Sequence, residues 1–303
     1  MHLNILQIIS QCDSFSFELR PQDQGFIPFL FGQAIIGYVR LFVQTALKEL
    51  PDYWEVHESH VSLSSSLSTF ESRTKAIEYT LNYWRERGTF QVLKGWRNEL
   101  YPVYGPNKTV IFAFERAACS LFGLLTFGSH MTAYIRDTYE MWIPRRSKKK
   151  PTYPGMLDNT VAGGIAFGSE PYKTIVKEGM EEAGFEMEVM KNVKAVGFLN
   201  YCYASNEFTG GEIGLLQPEL EFIYDLAVSR DIIPKPVDGE VESFELMTVE
   251  QVKAALAANE FKTNCRLVII DFFVRHGILT MENEPDYIEI ISRLRKKMPF
   301  PLP

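Results

Sequence analysis

Three glutamates, Glu178, Glu181 and Glu182, stand in the stretch AGGIAFGSEPYKTIVKEGMEEAGF that runs from Ala162 to Phe185. On an α-helix, residues i, i+3 and i+4 share a face, because each step turns the chain by about 100°. The three carboxylates then project together, which is unfavourable for an isolated helix. A hard divalent cation with oxygen ligands is the usual way to neutralise such a face. The plain alternative is the solvated side of a surface helix. The flanks favour a ligand: Gly163 and Gly164 let the backbone approach one closely, and Gly184 suits a helix stop.

Other groups offer chemistry with weaker patterns. Arg145 and Arg146, with Lys148, Lys149 and Lys150 just beyond, either help hold a diphosphate or form a solvated loop. Trp96, Arg97 and Tyr101 offer an aromatic and cationic lining for a heteroaromatic ring, with core packing as the competing role for Trp96. The HESH run at 57–60 lacks the HExxH spacing and reads as surface histidines. The four cysteines are scattered, with no CxxC pair and no histidines at zinc spacing, and read as reduced thiols.

The elements that must position these residues follow from periodicity and breakers. GQAIIGYVRLFVQTALKEL has apolar residues at helical spacing and is expected to be one amphipathic helix. VSLSSSLSTFESRTKAIEYTLNYWRERG reads as a Ser/Thr-rich lead-in and a second helix closed by Gly88. HMTAYI and MWIPRRS form two strands about a short turn, and KKKPTYPGMLDN a polar loop. KAVGFLNYCYAS and PELEFIYDLAV are β-rich. TVEQVKAALAANEF begins with a Thr248 cap and has Gln251 in the capping-box position. CRLVIIDFFVRHG and PDYIEIISRLRKK are further helices. The texture changes near residue 125, dividing the chain into an α+β part, 1–125, and a second part, 126–303.

Composition bounds the rest. At 303 residues with 46% hydrophobic and 13% aromatic content, the chain can build a sizeable core. A net charge of −7 argues against a general nucleic-acid binder. No apolar run approaches the roughly 18–20 residues of a membrane span. The N-terminus resembles neither a secretory signal nor a transit peptide, so a cytoplasmic protein is expected.

The run from Gly163 resembles the Nudix box, G-x5-E-x7-R-E-U-x-E-E-x-G-U, where U is a bulky apolar residue. Every spacing matches, but Ser169 replaces Glu, Lys177 replaces Arg and Gly179 replaces the apolar residue. Further segments, among them GWRNELYPVYG, FERAACSLFGLLTFG, TYPGMLDNTVAGG, QPELEFIYDL and DGEVESFELMTVEQV, are similar to a eukaryotic Nudix subgroup with a distinct N-terminal domain. Members are often labelled thiamin pyrophosphokinase-related. The resemblance implies an α/β fold: a Nudix α/β/α sandwich on a mixed sheet, preceded by an α+β N-terminal domain.

It also implies metal-dependent hydrolysis of thiamin diphosphate analogues, notably oxo- and oxy-forms, to monophosphates. Mg²⁺ or Mn²⁺ would be held by Glu178, Glu181, Glu182 and the Ala162 carbonyl, with Lys177 pairing a box glutamate. Many Nudix enzymes draw another carboxylate from a later loop, and Glu240 in KPVDGEVESF is favoured over Glu242. The expected partner is a small-molecule diphosphate, with neither nucleic acid nor membrane, for a monomer or homodimer. The rivals are a hydrolase of nucleoside diphosphate derivatives and a non-catalytic Nudix-fold metabolite binder. Ser169 is expected to cap the box helix through its hydroxyl.

Overall fold

The computed structural model describes residues 3–150, 152–207 and 210–303, so Pro151 of the polar loop lies outside the described residues. It opens on helix α1 (Ile5–Cys12), closed at its start by a reciprocal cap between Asn4 and Gln7. Strands β1 (Phe26–Phe31) and β2 (Ala34–Arg40) follow, then α2 (Leu41–Leu47). Here the single helix expected over GQAIIGYVRLFVQTALKEL is corrected. Its first half, AIIGYVR, is the strand β2, whose branched and aromatic residues pair antiparallel with β1. Short strands β3 (Trp54–Val56) and β4 (Val61–Leu63) complete a sheet of order β2-β1-β4-β3. Helix α3 (Phe70–Arg87) covers it, capped by Thr69 and ended by Gly88 at φ 63°. The hairpin β5 (Leu100–Tyr104) and β6 (Val110–Glu115) then packs on α3, burying Phe112 and Phe114.

The second half is built on one mixed sheet. Its strands are β7 (Thr126–Ile135), β8 (Met141–Arg146) and β9 (Val161–Gly164), then helices α4 (Pro171–Ala183) and α5 (Met187–Met190). The long pair β10 (Lys194–Ala204) and β11 (Leu216–Val228) is followed by β12 (Val241–Met247). Helices α6 (Val249–Ala257), α7 (Cys265–Arg275) and α8 (Tyr287–Leu294) complete the chain, with the Thr248–Gln251 capping box in place. The order is β10-β11-β7-β8-β12, with β11 parallel to β7 and β9 antiparallel to β7.

Period-2 alternation sends Met131, Ala133 and Ile135 to one face, where they meet Ile175 of α4 and Met190 of α5. Met141, Ile143, Leu199 and Ile223 point to the other face, under α6, α7 and α8. The result is a helix–sheet–helix sandwich. The second core also takes in Ile8, Ile9 and Cys12 of α1, which are 1%, 0% and 1% exposed. The first helix of the chain is thus packed among the last ones. All four cysteines are buried and free. No helix among the described residues is long and apolar enough to cross a membrane.

Candidate metal and diphosphate site

Helix α4 is held between two glycines with opposite duties. Pro171 occupies its first turn, where a missing N–H costs nothing. Gly184, at φ 62°, closes it in the left-handed region that favours glycine. At the other end of the motif, a Cβ on Gly163 would lie 2.4 Å from Cγ of Glu178. The glycine is therefore what lets the box helix sit against β9. Gly179, which departs from the box pattern, is explained by packing: a Cβ there would meet Met190 Cε at 2.5 Å, so Met190 fills the volume. Ser169 does not cap α4, contrary to expectation. It lies in the turn Ala166–Ser169, its N–H bonded to the Ala166 carbonyl, and the cap position belongs to Glu170. The helix starts later than the box spacing suggests because Pro171 fixes its first turn. Ser169→Ala should accordingly leave the melting free energy within about 0.5 kcal/mol of the wild type, as measured by chemical denaturation.

The carboxylates divide by environment. Glu181 is solvent-facing and pairs with Lys177 Nζ at 3.1 Å, while Glu178 lies 3.6 Å from the same ammonium. Lys177 thus spans two box glutamates. Its own proton affinity is raised, first by the hydrogen bond to Glu181 and then by the charge of Glu178. Glu182 turns inward and accepts the Ala162 N–H at 3.2 Å. Burial, then the charges of Asp158, Glu178 and Glu240, push its carboxyl up to about 8, against the lowering effect of that N–H. Burial raises Glu178 as well.

Glu240 comes to the same place from the loop before β12, together with Asp238, which sequence reasoning missed. Oxygens of Glu182, Asp238 and Glu240 all lie within 4.8 Å of one another. Burial opposes ionisation of Glu240, yet its carboxyl is lowered because Lys150 binds it directly and Arg146 and Arg97 add their charge. This donor set fits a hard divalent cation: all oxygen, acidic, and crowded closely enough to raise the proton affinity of Glu182. The only sequence signal for Asp238 was its place two residues before Glu240.

These groups line a cavity of about 290 Å³ in which basic side chains face the acidic ones. Arg146 and Lys150 come from the sheet half, and Arg97 and Arg116 from the N-terminal half. Arg146 is anchored on Asp158 at 2.6 Å, and Asp158 is held at about 2 despite its burial by Lys262 and Arg146. Arg116 is anchored on Glu99 at 2.8 Å. Of the basic and aromatic candidates, Trp96, Tyr101, Arg145, Lys148, Lys149 and Lys177 do not line this cavity. Arg145 is the neighbour of Arg146 on β8, so alternation turns it away, and it bonds the Gly155 carbonyl at 2.9 Å. Trp96 packs against the N-terminal core with Arg85 over its ring at 4.6 Å and its indole N–H bonded to Asn98.

A second cavity, about 470 Å³, adjoins the first across Gly163 and Gly164 and shares Arg97, Arg116 and Lys262 with it. Tyr101, Phe127, Tyr153 and Tyr203 contribute ring walls. Tyr101 and Arg116 bring the N-terminal half into contact with the sheet half at the glycine pair. A Cβ on Gly164 would stand 1.7 Å from Tyr101 Oη, so that approach requires glycine. Gly164→Ala should push Tyr101 away, lower the melting temperature and raise KM several-fold with a smaller change in kcat. Steady-state kinetics on the best substrate check this, and an unchanged KM would remove Tyr101 from the site.

Comparison with known proteins agrees with this architecture. Residues 4–126 match the family model described as a domain of unknown function, DUF4743, and residues 127–266 match the NUDIX domain. An uncharacterized protein of Saccharomyces cerevisiae, YJR142W, is 39% identical over 280 residues, covering 88% of this chain and 82% of the relative. Nudix hydrolase 20, chloroplastic, of Arabidopsis thaliana is 37% identical over 285 residues, covering 90% of this chain and 73% of the relative. Nudix hydrolase 24, chloroplastic, of the same plant is 37% identical over 277 residues, covering 89% and 73%. With its box helix, its helix–sheet–helix sandwich and relatives alike over nearly the whole length, the chain belongs to the Nudix hydrolases, pyrophosphohydrolases that act on small diphosphate substrates, in a form whose NUDIX domain follows a DUF4743 domain.

Proposed function

We propose that the protein is a Mg²⁺- or Mn²⁺-dependent diphosphohydrolase of thiamin diphosphate-like compounds, oxo- and oxy-forms included, giving the monophosphate and phosphate. The observation that supports this most is the joining of two cavities. One carries the clustered carboxylates and basic side chains that a metal-bound diphosphate needs, and it opens into a ring-walled one of about 470 Å³. That volume falls within the usual range for small-molecule pockets, roughly 300–1,000 Å³.

In this reading Glu178, Glu181, Glu182 and Glu240, joined by Asp238 and the Ala162 carbonyl, would hold the metal. When bound, the cation neutralises charge developing on the transferring phosphoryl group. Lys177 keeps Glu178 and Glu181 oriented. Arg97, Arg116 and Arg146 grip phosphoryl oxygens, and the anchors of Arg116 on Glu99 and of Arg146 on Asp158 fix their direction before substrate arrives. A box carboxylate takes the proton of the attacking water as the bridging P–O bond breaks. The two parts, 1–125 and 126–303, act together, since each supplies a wall. The cytoplasmic location and the monomeric or homodimeric state remain part of this proposal.

Phosphate release from a diphosphate panel, with and without Mg²⁺, tests it. Thiamin, oxothiamin and oxythiamin diphosphates should lead the panel only when metal is present. A clear preference for nucleoside diphosphate derivatives would replace the substrate class. Absence of metal-dependent release from every compound would make the protein a binder.

A further inference from the structure

Lys262 stands where the two cavities meet and lines both of them. Its backbone is fixed beside the sheet: Phe261 bridges to Leu157, and the Lys262 N–H bonds the Leu157 carbonyl at 2.9 Å. Phe261 is 0% exposed and belongs to the core that α7 covers. Extended backbone sends the next side chain the other way, towards the cavities. Arg97 and Arg116 reach the same junction from the N-terminal half, and Lys262 is the cation that the sheet half supplies there.

The carboxylates whose charge reaches it already hold other donors. Asp158 Oδ2 accepts from Arg146 Nη1 at 2.6 Å, and its Oδ1 accepts the Asn159 N–H at 2.8 Å and the Cys265 thiol at 2.6 Å. Glu219 Oε2 accepts from the Tyr201 hydroxyl at 2.8 Å. Lys262 has no such partner: among the described residues its ammonium makes neither a hydrogen bond nor a close ion pair. Burial opposes its charge most, yet Cys265, Asp158 and then Glu219 favour it, so its proton affinity is raised and it remains an ammonium. A partly buried cation with three donors and no acceptor is costly to hold, and an anion entering the cavity relieves that cost.

We propose that Lys262 binds the inner phosphoryl group of the substrate, the one bonded to the ring-bearing alcohol. The proposal rests on the diphosphohydrolase reading and gives that site a subsite for its leaving group. With the terminal phosphoryl among the carboxylates of the smaller cavity and the ring in the larger one, the inner phosphoryl lies at the glycine pair between them, where Lys262 stands. In the reaction the water oxygen bonds to the terminal phosphorus. The bond from that phosphorus to the bridging oxygen breaks, and its electron pair stays on the bridging oxygen as part of the monophosphate. A box carboxylate takes the proton of the water. Lys262 transfers none; as a hydrogen-bond donor it stabilises the charge that the leaving monophosphate gains.

Calorimetry in the presence of Mg²⁺ tests this with two pairs of probes, thiamin with its monophosphate and adenosine with AMP. None contains a diphosphate, so binding is read without turnover. In at least one pair the phosphate should tighten wild-type binding about tenfold or more. Lys262→Met, which keeps the length of the side chain without its charge, should remove most of that gain and bind the unphosphorylated partner as the wild type does. No gain in either pair in the wild type, or a gain unchanged in folded Lys262→Met, would overturn the inference. Reductive methylation of the wild type, followed at Lys262 by mass spectrometry, needs no variant. At saturation the monophosphate should slow it severalfold more than its unphosphorylated partner, and equal rates would overturn the inference as well. Should the gain depend on Lys262 while no diphosphate is hydrolysed, the subsite stands and the proposed reaction falls. Should diphosphates be hydrolysed while the gain ignores Lys262, the reaction stands and the subsite falls.

Discussion

Glu182→Gln should lower turnover by roughly a thousandfold or more, because several kcal/mol of charge stabilisation depend on a cation that this carboxylate helps hold. Its effect on stability should run the other way. The Glu182 carboxyl is pushed from an ordinary 4.5 up to about 8, mainly by burial and then by its acidic neighbours. A carboxyl raised on folding makes the folded state bind the proton more tightly than the unfolded one. Its contribution to stability is therefore present below the unfolded value and is lost as pH rises through the folded value. The metal-free wild type should lose melting temperature between about pH 4.5 and pH 8, and Glu182→Gln should lose less over the same window. Mg²⁺ should restore the wild type at pH 8 and leave the variant nearly unmoved. Calorimetric scans with and without metal, beside initial rates, measure all of this. A variant that keeps a rate within fivefold of the wild type would take Glu182 out of the site.

Deleting residues 1–13 should unfold the NUDIX half, although those residues lie far from it in sequence. Ile8 and Ile9 sit in the core formed with α7 and α8, and burying each is worth about 1.5–3 kcal/mol. Polar ties add to this: Arg266 bonds Gln11 Oε1 at 2.9 Å, and Cys202 N–H bonds Asp13 Oδ1 at 2.9 Å. Lys296 also binds the Asp13 carboxylate. The sum is a large fraction of the 5–15 kcal/mol that a domain usually has. The truncated protein should be insoluble or show no cooperative melt near the wild-type temperature. A soluble, cooperatively melting truncation would mean that α1 is an accessory. A fragment begun at Ser129 would be cut inside β7 and would lose residues that pair with β11 and β9.

Much of the site was legible because its central part is local. The spacing of Glu178, Glu181 and Glu182 with Lys177 lies within two turns of one helix, and α4 runs where that spacing puts it. Gly88 and Gly184 end their helices, and the Thr248–Gln251 box opens α6, each by backbone geometry that a few neighbouring residues determine. Where local signals competed, the reading failed. Apolar residues at helical spacing in AIIGYVR were recruited to β2 because a partner strand was available, and Ser169 lost the cap position to Glu170 because Pro171 sets the helix start.

The sequence by itself determined the box helix, the glycines that bound it and most of the strands, since helical and strand periods and turn residues act over a few positions. Tertiary structure alone decided which distant groups join them. Asp238 and Glu240 meet Glu182 only because β12 pairs with β8, and Arg146 rather than Arg145 faces the cavity because of where β8 sits in that sheet. Arg97, Tyr101 and Arg116 reach the glycine pair only through the docking of one half on the other. Glu219, Glu221 and His130 come together on one face of the sheet only because β11 lies parallel to β7 in one register. Strand pairing and domain docking join residues a hundred positions apart, and no local period in the chain encodes which ones will meet.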